Sequence, residues 1–448
     1  MKNEFNALNT SSNLMVLVYT HHITPRVKYA FNMLFQQFLS CEVTYTTQVE
    51  EFIAYDGVKI SYTKNPLGKE LFFRSHSILF EKGIVEQEIH VRSWKGQKIF
   101  FEQTDNSAMP FDVFAAGFYL LSRYEEYLPH VKDRFHRFPA KQSLAYKNSF
   151  LKIPIIEYWL KELVLVLQTK FPNFNPPSRQ FKFLNTIDVD NAYCYLEKGL
   201  IRTVGAVCRS LLRFDFKPIS KRFKVLLGKE KDPYDTFDYL LKLQKKYDFE
   251  SIYFFLLADY GHNDKNITHT SKKFQTLVKT ISDYVKVGIH PSWASNSDSH
   301  KLSMEINRLE SIVNREVHRS RQHFLRLDLP NTYRRLIDLG ILHDYTMGYA
   351  AQVGFRAGTS LPFYFYDLDM EMQTSLLIHP FAVMDGTLNE YMELPIDDAQ
   401  YLVKEIINYV KEVDGVFISL WHNETLGDNR NWKDWRQVYE YSIEEALI

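Results

Sequence analysis

The sequence predicts an α/β protein whose larger part is a parallel sheet with helices packed on it, preceded by a smaller α+β domain. Three observations carry that prediction. Short apolar runs alternate with helical stretches over the last ~250 residues, the pattern of repeated β–α units. A break rich in proline and asparagine, FPNFNPPSRQ at 171–180, separates this half from the first. Ahead of the break the strands are short and two long helices close the segment.

In the first part, residues 15–19 read as a buried strand and 26–39 as the helix that follows. KISYT and QKIFFEQ alternate in the manner of strands. FDVFAAGFYLLSRYEEYL (111–128) and IPIIEYWLKELVLVLQTKF (153–171) repeat apolar residues at helical spacing. Residues 1–172 are therefore read as an α+β domain and 173–448 as the parallel α/β domain. In the second part the strands are FKFLNTID, SIYFFLL, VKVGIH, HFLRLD, ILHDYT, SLLIHP and GVFISLWH. TFDYLLKLQKKY, SMEINRLESIVN and DDAQYLVKEIINYVKEV supply helices between them. Seven strands suit an irregular (β/α) barrel with one unit missing; a doubly wound sheet is the other solution to the same alternation.

The 448 residues carry 54 Lys and Arg against 54 Asp and Glu, so the formal charge is zero and no basic surface for nucleic acid is indicated. Three cysteines, Cys41, Cys194 and Cys208, read as free thiols of a reducing compartment. The opening stretch is polar, and the apolar run 14–19 is too short for a signal core or a membrane span. A cytoplasmic protein is expected.

The polar residues that carry chemistry fall at strand ends. Asp188 and Asp190 follow FKFLNTI, and His290 ends VKVGI. Arg321 and His323 flank HFLRL, Asp344 lies in ILHDYT, and His422 ends VFISLW. In parallel α/β folds the loops after the strands build the site, so these groups are expected to converge there. Each also has a plain structural use. The two acids suit a helix cap and a turn, the histidines can be core groups held by hydrogen bonds, and Arg321 sits among other arginines.

In this order the motifs resemble those of the polysaccharide deacetylases, the NodB-homology carbohydrate esterases. The family opens with Thr-Phe-Asp-Asp-Gly, where this chain has Thr186-Ile187-Asp188-Val189-Asp190. Its His-Ser/Thr motif corresponds to His290-Pro291-Ser292, its Arg-x-Pro to Arg321-Gln322-His323, and its Leu-x-His to Leu420-Trp421-His422. The likeness covers roughly 182–425 and implies a (β/α) barrel that removes acetyl groups from a glycan with a divalent metal, zinc being the expected ion. Two departures stand out. The second acid is displaced by one residue, and Ala294 occupies the place of the second metal histidine.

The resemblance implies Asp188 as general base, Arg321 as its partner, His422 as the acid for the departing amine and Asp344 as the group orienting His422. It implies Asp190 and His290 as metal ligands. Catalytic zinc usually keeps three protein ligands, and His323, standing where the family has proline, is expected as the third. Trp293 and Trp421 are candidates for stacking on a sugar, and Arg356 for an anionic substrate group. Residues 198–231 hold ten Lys and Arg against Asp215 and Glu230, a net +8 interleaved with apolar residues. That stretch is either a solvated helical excursion or a contact with an anionic membrane surface. A glycosidase on a similar barrel, and a glycan-binding protein without activity, are the competing readings.

Overall fold

The computed structural model describes residues 14–103 and 106–448; the polar opening stretch lies outside the described residues. The chain forms two compact units. The first comprises Met1–Pro129, Ile155–Gln180 and Ala357–Thr374, and the second His130–Pro154, Phe181–Arg356 and Ser375–Ile448.

In the first unit four parallel strands, β1 (Met15–Tyr19), β2 (Glu42–Thr46), β3 (Val58–Thr63) and β4 (Phe72–Arg74), stand in the order β2-β1-β3-β4. Helices α1 (Pro25–Phe31), α2 (Val113–Leu121) and α3 (Ile155–Lys170) accompany them. Every residue of α2 is buried, and Asp112 caps its first turn by accepting from the amides of Phe114 and Ala115. The expected helix over 26–39 begins as α1 and continues as a wider π turn over Asn32–Phe38. The helix over 111–128 breaks at Arg123, whose φ is 53°. Segment 357–374, with strand β10 (Phe363–Asp367), belongs to this unit. Buried Glu157 accepts from both the amide and the hydroxyl of Ser360, at 2.6 and 2.7 Å.

The second unit is built on a parallel sheet. Its strands are β5 (Lys182–Val189), β6 (Glu250–Phe255), β7 (Lys286–Ile289), β8 (Arg319–Ser320), β9 (His343–Asp344), β11 (Met372–Ile378), β12 (Val383–Met384) and β13 (Val416–His422). They lie in the order β11-β9-β8-β7-β6-β5-β13-β12. Strand β11 begins in the first unit, three residues before the second resumes. Strand β5 is buried from Asn185 to Val189, as expected for a strand covered on both faces. Its polar members are satisfied inside: Asn185 donates to Ser251 and Tyr439, and Thr186 donates to the carbonyl of Ser419. Helices α4 (Gly199–Leu212), α5 (Lys217–Leu226), α6 (Phe237–Tyr247), α7 (Lys272–Tyr284), α8 (Ser299–Val313), α9 (Asn331–Asp338), α10 (Ile396–Glu412) and α11 (Arg436–Leu447) lie between and after the strands.

The sheet has one strand more in this unit than the seven expected, because β12 is only two residues long. Among the described residues no pairing joins β12 to β11, so the hydrogen-bonded ladder is open. HFLRLD is not a strand. The paired residues are Arg319 and Ser320, and His323–Leu325 make a tight turn in which Phe324 and Leu325 take φ of 59° and 54°. Left-handed backbone at two non-glycine residues is costly and recurs where a loop must aim a side chain. On β7, a Cβ at Gly288 would stand 2.6 Å from the Phe254 ring and 2.7 Å from the Arg319 carbonyl, so only glycine lets these strands approach.

Candidate metal centre and its flanking residues

Strand register sets the site. Asp188 on β5 lies opposite Phe254 on β6 and His422 on β13. The amide of His290 donates to Phe255 O, and that of Arg321 to Ile289 O, which carries the row on to β7 and β8. Asp188, Asp190, His290, Arg321, His323 and His422 therefore stand at the C-terminal ends of neighbouring strands or in the loops just beyond them.

Three of them form a cluster. Asp190 Oδ1 is 3.2 Å from His290 Nε2, and Asp190 Oδ2 is 3.4 Å from His323 Nε2. One ligand atom from each residue lies within 4.8 Å of the others. The far nitrogens are both committed. His290 Nδ1 donates to the backbone carbonyl of Arg321, which can only accept. His323 Nδ1 bonds to Asp264 Oδ1 at 2.9 Å, and Asp264 is fixed by the amides of Trp293 and Ala294. A neutral imidazole has one N–H, and each ring spends it on this outer partner. Both Nε2 lone pairs then face the Asp190 carboxylate, itself an acceptor. Three acceptors pointing at one another require an added proton or a cation between them.

The electrostatics agree with this reading. Burial opposes charge on His323, but the carboxylates of Asp190 and Asp264 outweigh it and raise the ring to about 9. Burial likewise opposes ionisation of Asp190, yet the two imidazoles hold it well below the usual carboxylate range. Asp190 Oδ1 is a buried oxygen with no hydrogen-bond partner. One carboxylate, carrying the orphaned oxygen, and two imidazoles fit a divalent ion of the zinc type.

Beside this cluster Asp188 is fully buried. Its Oδ1 accepts from Arg321 Nη1 at 3.0 Å, and its Oδ2 is 3.7 Å from His290 Nε2. Arg321, also fully buried, donates further to Thr186 and to the carbonyl of Tyr345, and lies over the Phe254 ring. The guanidinium is thus held by strand ends on three sides and presents Asp188 in one orientation.

The partner of His422 is Asp385, not Asp344. His422 Nδ1 stands 2.9 and 3.1 Å from the two Asp385 oxygens, and the His422 amide and Thr425 hydroxyl also donate to that carboxylate. Asp344 instead accepts from Ser320, from the Thr346 amide and from the Thr346 hydroxyl, which tie β9 to β8. Asp385 follows β12, the strand paired beside His422's β13, whereas Asp344 stands on β9, far along the sheet. Burial disfavours charge on His422, but Asp385, with Asp190 and Asp188 behind it, raises the ring well above an ordinary imidazole.

The expected substrate residues fall differently. Trp293 is half-buried beside the cluster, edge-on to Phe324 with Arg326 over its ring. Trp421 is fully buried, alternating away from His422, and packs on Tyr439, so it belongs to the core. Arg356 is also buried; it donates to Gly348 O and lies over Tyr349.

Three site groups have no counterpart in the sequence reading. Asp264 holds His323, and Asp385 holds His422. Glu424 stands two residues beyond His422, where burial and the Asp190 charge raise its carboxyl to about 7. Glu424 had the clearest signal, an acid at i+2 from a strand-end histidine; Asp385 followed the apolar run FAVM. A cavity of about 320 Å³ opens beside the cluster, lined by Asp190, Asn191, His262, Lys265, His323 and Phe324 among others.

Residues 16–172 match a family model described as a family of unknown function (DUF7033). No curated protein matches the chain by sequence. Among solved structures, one from Mycobacterium smegmatis, assigned as a polysaccharide deacetylase, superposes with a TM-score of 0.41 at 15% identity, over 61% of this chain and 86% of its own. A polysaccharide deacetylase from Bacillus cereus gives 0.29 at 10% identity, over 60% and 86%. A CE4-family pseudoenzyme from Bacillus anthracis gives 0.28 at 12% identity, over 59% and 62%. At these TM-scores the superpositions fix neither fold nor activity.

Proposed function

We propose that the second unit is a metal-dependent deacetylase acting on the N-acetyl groups of a glycan, and that zinc is the ion held by Asp190, His290 and His323. The observation that carries this is the convergence of two imidazole lone pairs on the Asp190 carboxylate, with both outer nitrogens already spent. When bound, such an ion supplies Lewis acidity, lowering the pKa of a water toward ~7 and polarising the acetyl carbonyl.

The remaining chemistry is done by the chain itself. Asp188 takes the proton of the attacking water, with Arg321 keeping its carboxylate in one orientation. His422, charged because Asp385 faces its Nδ1, keeps a proton on Nε2 and delivers it to the departing amine. Acid and base come from adjacent strands, β13 and β5, paired in register at these two residues. Trp293, packed edge-on against Phe324 of the pocket lining, is the candidate stacking surface for the sugar. Asp188 and Asp190 also supply two carboxyl groups of the kind a glycosidase needs, but in that reading His290, His323 and His422 would have no role.

The reaction is assigned to the second unit, whose bounds differ from the expected division at 172: segment 130–154 belongs to it and 357–374 to the first unit, while the family-model match covers 16–172. The three free cysteines favour a reducing, cytoplasmic setting. No helix among the described residues is long and apolar enough to cross a membrane. The test is acetate release from N-acetylated chitooligosaccharides by the purified full chain. Activity lost on chelation and restored by zinc is expected. Glycosidic cleavage that persists with chelator would replace this reading with the glycosidase.

A further inference from the structure

The insertion after Asp190 folds as two helices whose apolar sides face solvent. A 3.6-residue period places Leu200, Ile201, Val204, Leu211 and Leu212 of α4 within an arc of about 120°. All five are exposed, Ile201 at 90% and Leu212 at 82%, and no residue of α4 is buried. In α5 the stripe is Phe223 and Leu226, continued by Phe216 just before it and Leu227 just after, and only Val225 of the helix is buried. Phe214, in the turn between the helices, is 82% exposed.

It is the polar edge of α4 that is anchored. Arg202 donates to the carbonyls of Asn266 and Lys265 and lies over the Tyr260 ring, while Lys198 bonds to Asn191. Arg222 of α5 lies over Tyr195. An ordinary surface helix does the reverse, turning its apolar stripe inward. Here the stripe is turned out, and Arg209, Arg213, Lys217 and Lys221 flank it as exposed cations. Over 198–231 the charge is +8, against zero for the whole chain.

From this combination we infer that α4, α5 and their turn form a docking face for an anionic lipid bilayer, with the apolar stripes entering the interface and the flanking cations meeting the headgroups. The excess positive charge selects the occupant. A second copy of this chain would bring a second +8 surface against the first, and a bilayer with anionic lipid supplies the missing negative charge. Lys198 ties this element to Asn191, next to Asp190, so the candidate metal centre lies one short loop from the docking face. The inference does not rest on deacetylase activity, since vesicle binding is read without turnover.

The experiment is co-sedimentation of the full chain with phosphatidylcholine vesicles, with and without phosphatidylglycerol. Binding to the anionic vesicles alone, weakened by added salt, is expected. The paired change Leu212→Glu and Phe214→Glu should weaken it at least about tenfold, because it removes apolar contact and adds repulsion. Both sites are exposed, and an unchanged thermal unfolding curve shows that the variant is folded. A single exposed change, Ile201→Glu, gives a second reading in the same direction. Absence of binding, equal binding to both vesicle types, or binding untouched by the variants would overturn the proposal. So would concentration-dependent self-association that the variants abolish without any vesicle binding.

Discussion

Replacing Asp385 by asparagine keeps the shape of the side chain and removes its charge. In the folded protein both Asp385 oxygens stand within 3.1 Å of His422 Nδ1, and this carboxylate is the leading cause of the raised imidazole pKa, acting against burial. An opposite charge this close typically moves a pKa by about 1–3 units, at about 1.4 kcal/mol per unit. Acid catalysis uses the protonated ring, so activity falls as pH rises through the His422 pKa. Lowering that pKa moves the alkaline limb to lower pH. For Asp385→Asn the alkaline limb of kcat/KM should shift down by about 1–3 units, with kcat at neutral pH about 10²–10⁴-fold lower. Asp344→Asn is the matched control: its carboxylate meets Ser320 and Thr346, so the limb should stay in place. The measurement is acetate release across a pH series for both variants. An unmoved limb in Asp385→Asn, or an equal shift in Asp344→Asn, refutes the assignment of Asp385.

Three further outcomes follow from the geometry. In metal-free protein His323 is raised from 6.5 to about 9, so its contribution to stability is full below about pH 6.5 and disappears as pH rises toward 9. Urea unfolding of the chelated protein should therefore lose about 3 kcal/mol across that window, and zinc, taking the place of the proton, should remove the loss; a metal-free profile flat over the window contradicts the cluster's electrostatics. Trp421→Phe should lower stability by about 1–3 kcal/mol in urea titrations while leaving KM unchanged, because the ring is core; a raised KM with intact stability would return Trp421 to the substrate. Gly288→Ala should cost about 1–3 kcal/mol by the same titration, since its methyl meets the Phe254 ring and the Arg319 carbonyl; a neutral effect would mean that β6, β7 and β8 yield there.

The sheet of the second unit was legible because parallel strands buried on both faces are nearly continuous apolar runs, as in FKFLNTIDV and GVFISLWH. What escaped were two strands too short to show a period, Arg319–Ser320 and Val383–Met384. HFLRLD misled for a related reason. It is a short, largely apolar run, but left-handed backbone at Phe324 and Leu325 turns it into a tight loop. The candidate site was legible where a chemical group ends a long strand, as Asp188 and His422 do. It was illegible where a group is defined by what it supports. Asp264 and Asp385 matter through hydrogen bonds to histidines 59 and 37 residues away, separations that no local pattern reveals. Trp421 shows the converse. It adjoins His422 in sequence, yet strand alternation sends it to the opposite face.

Metal content is the most direct test of the account. The chain, purified, stripped with chelator and reloaded, should hold one equivalent of zinc by elemental analysis, and His290→Ala, His323→Ala and Asp190→Ala should each lose it, since each supplies one of the clustered ligand atoms. Wild-type protein that retains less than about a tenth of an equivalent after zinc is added would contradict the metal centre and the deacetylase with it. Full occupancy in His323→Ala would contradict the third ligand alone.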